Sequence, residues 1–365
     1  MTSKRNYYID VIKFIFAIII AEFHLGTGWF PGGRVAVEGF FMITGFLMMK
    51  SIERDKHPLE GSGIATARFL GHKYMALFPI LLPSAVIAFV LSSIGNNHDV
   101  LTALDRLPLL IFDVFPLRTA GFKGVYVVGI SWYLSSMFLA LAILYPFCRK
   151  YKSNFTLVAC PLAIFFFYGV LSHFYGHIAV GPEFLEEKMV NAGVLRALAG
   201  CSAGCLLYEI GKRLANKQVT CVGRIVFTVV ELCGFAYFFY AMHEHSASSY
   251  DYVLVGVLFG LLLIGICGLS YSSYLLRAKW LRALGTASTL IVLNHYRQNV
   301  YLKSLLGKGY AKTDKVWHFV CAVIVSCIVA YLFSLLVKLI VKGIGKIKFF
   351  KSENASADFQ ESQEQ

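Results

Sequence analysis

Charge is scarce in this chain. Only 15% of its 365 residues are Asp, Glu, Lys or Arg, where a soluble domain carries roughly 25%. That shortage argues against an ordinary water-solvated enzyme. Amphipathic segments are few as well: most apolar stretches are apolar all round, as lipid-embedded helices are. There is no Walker phosphate loop, no G-x-S-x-G elbow and no H-E-x-x-H pair, so these familiar nucleotide, serine-hydrolase and zinc-protease signatures give no lead. The nine cysteines form no C-x-x-C pair and no finger spacing. Neither a disulfide framework nor a metal site is read from them, and they are taken as small apolar packing residues. No internal repeat and no soluble appended domain is visible.

What the chain does have is hydrophobicity, at 57% of its residues. Stretches long enough to span a bilayer, near 20 residues each, lie at about 7–27, 35–52, 74–95, 128–148, 155–175, 193–211, 224–243, 252–272, 284–304 and 316–341. This pattern predicts an all-α polytopic membrane protein, a bundle of about ten transmembrane helices. The first stretch follows Lys4 and Arg5, is long, and shows no small-x-small cleavage site, so it reads as a span and not a signal peptide. With the N-terminus inside, about 22 of the 34 Lys and Arg fall in inner segments and about nine in outer ones. That alternation favours an even number of spans, with N-terminus and C-terminus both cytoplasmic. The net charge of +13 is therefore read as sidedness, with no nucleic-acid partner. Residues 1–351 are expected to form the transmembrane domain and 352–365 a disordered polar tail. In the longest outer loop, 96–127, the stretch Leu104–Phe115 is too short to span and is expected to be re-entrant or interfacial.

Ionisable residues inside spans are costly and mark cavities or partners. The first span carries Asp10, Lys13, Glu22 and His24. Lys13 and His24 are about three helical turns apart, so they share one stripe and stand roughly 16 Å apart along the axis. Asp10 falls near that stripe and can pair with Lys13 at i, i+3. Glu22 faces the other way. Because the first span runs outward and the second inward, His24 and Glu38 both fall near outer ends, joined by a short Gly-rich connection. They are expected to meet, either as a proton-taking imidazole with its orienting carboxylate or as a structural tie between helices. His295 and Arg297, beside Asn294, interrupt the ninth span and read as polar cavity lining. Gly200-x-x-x-Gly204 in the sixth span reads as a packing motif.

The run Ile9-Asp10-Val11-Ile12-Lys13, followed by His24, and the run Val37-Glu38-Gly39-Phe40-Phe41-Met42-Ile43-Thr44-Gly45-Phe46 resemble motifs of the acyltransferase 3 family of membrane O-acyltransferases, which includes many polysaccharide O-acetyltransferases. Three later elements are similar in order: Phe69 to Pro79, Trp132 to Ser135, and Gly285 to His295. Two positions depart from the family pattern, Ala76 where an arginine is common and Met137 where a glutamate is common.

The resemblance implies an acyl donor, usually acetyl-CoA, reaching the site from the cytoplasm of an inner-membrane protein. It implies a hydroxyl of a cell-surface glycan such as an exopolysaccharide, or of its lipid-linked precursor, as acceptor. His24 and Glu38 would be catalytic, His24 as general base or as transient acyl carrier. Lys13, Lys73 and His72 would hold the donor. Asp10, Trp132, Ser135, His295 and Arg297 would line the acceptor side. No metal is expected. Membrane lipids surround the chain, and the oligomeric state stays open, a homo-oligomer included. The rival expectation is a transporter or flippase for a glycan precursor, using the same polar residues without thioester chemistry.

Overall fold

The computed structural model describes residues 7–55, 61–115, 117–122, 124–185, 190–214, 218–296, 298, 301, 302, 304, 307 and 315–361, with side chains as far as 343. Most of these residues are helical. The long elements are α1 (Tyr8–Leu25), α2 (Ala36–Arg54) and α3 (Ser62–Gly95). After the short α4 (Val100–Arg106) and α5 (Ile111–Val114) come α6 (Ser131–Asn154), α7 (Cys160–Tyr175), α8 (Ala192–Leu214), α9 (Cys221–Glu244) and α10 (Asp251–Cys267). A single turn, α11 (Ser272–Leu275), leads to α12 (Arg282–Asn294) and α13 (Lys315–Glu361). No strand occurs among the described residues, only an isolated bridge between Phe184 and Asn191.

All ten apolar stretches overlap helices. Six helical segments are long and apolar enough to cross a membrane, one of them being α6 and α7 run together. The rest fall short for physical reasons: α1 carries Asp10, Lys13 and Glu22 within 18 residues, while α10 has 17 residues and α12 has 13. Edges differ from the sequence reading. α3 starts at Ser62, well before the expected 74, and its 34 residues span roughly 51 Å, more than a hydrocarbon core of about 30 Å. α12 stops at Asn294, although the apolar run continues. α13 carries on to Glu361, into the polar segment whose composition predicts disorder. The Leu104–Phe115 stretch folds as short helices and turns whose Leu104, Leu107, Leu109, Ile111 and Phe115 are exposed.

Burial runs against hydropathy. The segments holding α2 and α8 are among the less apolar of the six, yet 78% of the 18-residue apolar stretch in each is buried, against 22% of that in α6–α7, α9 and α13. The most apolar helices thus present their surfaces outward, as a lipid solvent requires, and the glycine-bearing pair sits at the centre. α2 and α8 pack backbone to backbone. A side chain at Gly45 would overlap the Cys201 carbonyl, one at Gly204 the Met42 carbonyl, and one at Gly200 the Phe41 side chain. Small residues permit that approach. α6 and α7 close on α8, α1 packs on α12, and α3 lies between α6 and α13.

Candidate active site

The last turn of α1 holds His24, and the first residue beyond α12 is His295. Each ring reaches back to the carbonyl four residues earlier: His24 Nδ1 is 2.8 Å from Ile20 O, and His295 Nδ1 is 3.0 Å from Ile291 O. Carbonyls only accept hydrogen bonds, so both Nδ1 atoms carry the hydrogen. His295 Nε2 is then an acceptor, and it lies 3.2 Å from His24 Nδ1. His24 Nδ1–H is shared between Ile20 O and His295 Nε2, and the lone pair that can take a proton is on His24 Nε2. The rings stand 5.0 Å apart, with Tyr296 at 5.4 Å from His24. Tyr296 fills the space that a side chain at Gly129 would need. His24 keeps exposed surface, while His295 is fully buried.

One cavity adjoins this pair, and a second shares part of its wall. The smaller, about 410 Å³, contains His24, His295, Tyr296, Trp132 and Gly129 in its walls. The larger, about 860 Å³, contains Lys13, Lys73, Thr44 and Thr289. Phe40, Ile130, Tyr133 and Val292 belong to both walls, so the two spaces meet across one ring of side chains. The stripe on α1 therefore serves both, Lys13 at one end and His24 at the other. Asp10 and Lys13 attract one another, and Asp10 packs where a side chain at Gly285 would stand. Ala76 and Met137, the two positions that depart from the motifs the sequence resembles, both lie in the wall of the larger cavity.

Glu38 does not meet His24. Its carboxylate, fully buried, pairs with Arg196 Nε and accepts from the Tyr168 hydroxyl. Neighbouring Val37 is the residue that lines the His24 cavity. One position along a helix is about 100° of rotation, enough to turn the carboxylate toward α8 instead of α1. Arg196 accounts for the rest of that turn. A buried carboxylate needs a cation and donors, and Arg196 in α8 supplies both. It also donates to Val180 O and Arg34 O, each at 2.7 Å, and its guanidinium lies 5.7 Å over the ring of Trp132. The expected orienting partner is thus replaced by His295 and the Ile20 carbonyl. Arg196 was visible in the sequence as a charge inside a span, but nothing there named its partner.

The remaining expected residues divide. Lys73 and Trp132 line the cavities. His72 is exposed and lines neither. Ser135 is buried and accepts from Thr119, through its N–H at 3.1 Å and its hydroxyl at 2.6 Å, which pins the loop before α6. Arg297 lies outside the described residues. Glu22 accepts from the Thr27 hydroxyl and from the N–H groups of Trp29 and Phe30 at 3.1 Å, and so fixes the turn between α1 and α2.

A carboxyl outside the spans supports the cavity wall. Asp113, in the short α5, is fully buried and accepts from Val127 N–H at 3.2 Å, two residues before Gly129. Its other oxygen has no hydrogen-bond partner among the described residues. Burial outweighs the donors around it and pushes the carboxyl up to about 6.

A family model described as an acyltransferase domain, Acyl_transf_3, matches residues 6–335. No curated protein and no solved structure matches.

Proposed function

Because the chain belongs to the acyltransferase 3 family, and is a membrane acyltransferase on that ground, we propose that it moves an acyl group from cytoplasmic acyl-CoA to a hydroxyl of a cell-surface glycan or its lipid-linked precursor. Acetyl is the first group to test. One observation carries the reading: a lysine-bearing cavity and a histidine-bearing cavity meet behind Phe40, Ile130, Tyr133 and Val292. An anionic donor with a long thin arm needs cations at one end of its path and a base at the other.

In this reading Lys13 and Lys73 hold the anionic or electron-rich parts of the donor. The thioester carbonyl comes to rest beside His24. His24 Nε2 takes the acceptor hydroxyl's proton as its oxygen bonds to the carbonyl carbon. The C–S bond breaks, the sulfur leaves with the bonding electron pair, and His24 returns the proton to it. While His24 is charged, its Nδ1–H holds to Ile20 O and His295 Nε2. In the alternative path His24 Nε2 attacks the thioester carbonyl and the sulfur leaves with the C–S electron pair; the acceptor oxygen then displaces the imidazole and its proton goes to the departed thiolate.

The ten helix-overlapping stretches and the loop-by-loop charge alternation support ten spans, cytoplasmic termini and residence in the inner membrane. The test uses purified protein in liposomes with radiolabelled acetyl-CoA. Thioester consumption and label on protein or added glycans are compared between wild type and His24→Ala. His24-dependent turnover is expected. Turnover that survives the substitution in folded protein sinks the assignment, and label stable on wild-type protein selects the acyl-carrier path.

A further inference from the structure

Three cysteines that are far apart in sequence converge at the junction of α6, α7 and α8. Cys148, Cys160 and Cys205 come one from each helix, all are buried, and their sulfurs lie within 4.8 Å of one another. Cys148 Sγ and Cys205 Sγ are 3.9 Å apart. Three sulfurs placed about 2.3 Å from one central ion would stand about 4.0 Å apart in a trigonal plane, so one observed spacing already matches and the others need only a small inward shift.

The backbone at this junction is unusual. α6 passes into α7 without a loop. Lys152 takes φ 49° and ψ −129°, in the left-handed region a lysine rarely occupies, and residues 155–159 form a π-turn before Cys160. Strained residues and π-turns inside helices recur at functional positions. Here their effect is to bring Cys160 back over Cys148, which lies one turn before Lys152. Both Lys152 and Asn154 are exposed, so the cluster lies one turn beneath a surface that solute can reach.

We propose that Cys148, Cys160 and Cys205 form a binding site for a soft monovalent d10 cation of the Cu(I) class. Thiol sulfur selects soft ions over Mg²⁺ or Ca²⁺. Among the described residues no fourth His, Cys, Asp or Glu joins the group, which suits three-coordinate Cu(I) better than tetrahedral zinc. One thiol gives its proton to solvent, the monovalent cation offsets that single thiolate charge, and the other two sulfurs bind as neutral thiols, so no net charge is buried. The site is separate from the histidine pair and does not rest on acyl transfer. It would clamp the inner ends of three helices, of which α6 carries Trp132 and α8 carries Arg196.

The full-length protein, in detergent under anaerobic reducing conditions, is titrated with Cu(I) delivered from a chromophoric Cu(I) chelator, and retained copper is counted by elemental analysis. Wild type should hold one equivalent. Cys148→Ser, Cys160→Ser and Cys205→Ser should each weaken binding by roughly 100-fold, the upper end of what losing even an outer partner costs a metal site. Cys233→Ser and Cys327→Ser should bind as wild type does. X-ray absorption on the wild-type protein needs no variant to fold, and a sulfur-only three-coordinate shell is expected. No uptake by wild type, equal uptake by the three cluster variants, or a shell of nitrogen and oxygen donors would overturn the proposal and leave the cysteines as packing residues.

Discussion

Nε2 of His295 stands 3.2 Å from Nδ1 of His24, and this contact joins the end of α1 to the end of α12. It makes the two imidazoles unequal. His24 has the proton-taking nitrogen, and His295 has both of its nitrogens engaged in holding itself and its neighbour. His24→Ala should therefore lower kcat by roughly 10²- to 10⁴-fold, the range for a general base. His295→Ala should cost less, below about 10²-fold, because Ile20 O still orients His24. KM for acyl-CoA should barely move in either. Steady-state kinetics on folded protein checks this, and equal losses in the two variants would assign His295 a direct part in the chemistry.

The two lysines are expected to act on binding. Lys73→Met should raise KM for acyl-CoA about tenfold with kcat near wild type, the pattern of an interaction made equally in ground and transition states. Lys13→Met should behave alike. A collapse of kcat at constant KM would move these cations onto the reacting atoms.

Much of this arrangement was legible before any coordinates. The stripe Asp10, Lys13, His24 follows from helical geometry alone, and the cavities run along it. Gly200 and Gly204 read correctly as a close-packing motif. The partner of Glu38 did not, because depth and a short connection restrict which residues can be near without fixing helix rotation. The His24–His295 contact was hidden for the same reason: it depends on α1 packing against α12, some 270 residues away. The cysteine cluster escaped because spacing rules describe ligands on one or two adjacent elements, and these three come from separate helices. Chain length along an apolar run also misled at α12, where the helix ends at Asn294.

Arg196→Met should leave the Glu38 carboxylate buried without its cation. Breaking one side of such a pair costs about 3–5 kcal/mol. The double variant Arg196→Met with Glu38→Gln removes both charges and should recover part of the loss. Thermal unfolding in detergent reads the three proteins. If the single and double variants unfold together, the pair contributes little.

Asp113 gives a pH prediction with a definite sign. Its carboxyl titrates near 6 in the folded protein, against about 4 in an unfolded chain. The folded state binds the proton more tightly, so the associated stability is complete below about pH 4 and is lost as pH rises through about 6. Asp113→Asn keeps a neutral group of the same shape. The melting temperature of wild type should fall relative to Asp113→Asn between about pH 4 and about pH 6 and then level off, and parallel curves would show that the carboxyl does not titrate there.

The central contact of α2 with α8 imposes an order in time. α2 is among the less apolar of the long helices, yet most of it is enclosed, largely by a helix that begins at Ala192. A ribosome that has just released α2 has not yet made the partner that covers it, nor the arginine that neutralises Glu38. Until α8 arrives, α2 must wait at the insertion machinery or at the edge of the bilayer with an uncompensated carboxylate. His24, made first, thus gains a finished surrounding only when the later helices have been synthesised, and a nascent chain stopped before α8 should leave α2 open to protease.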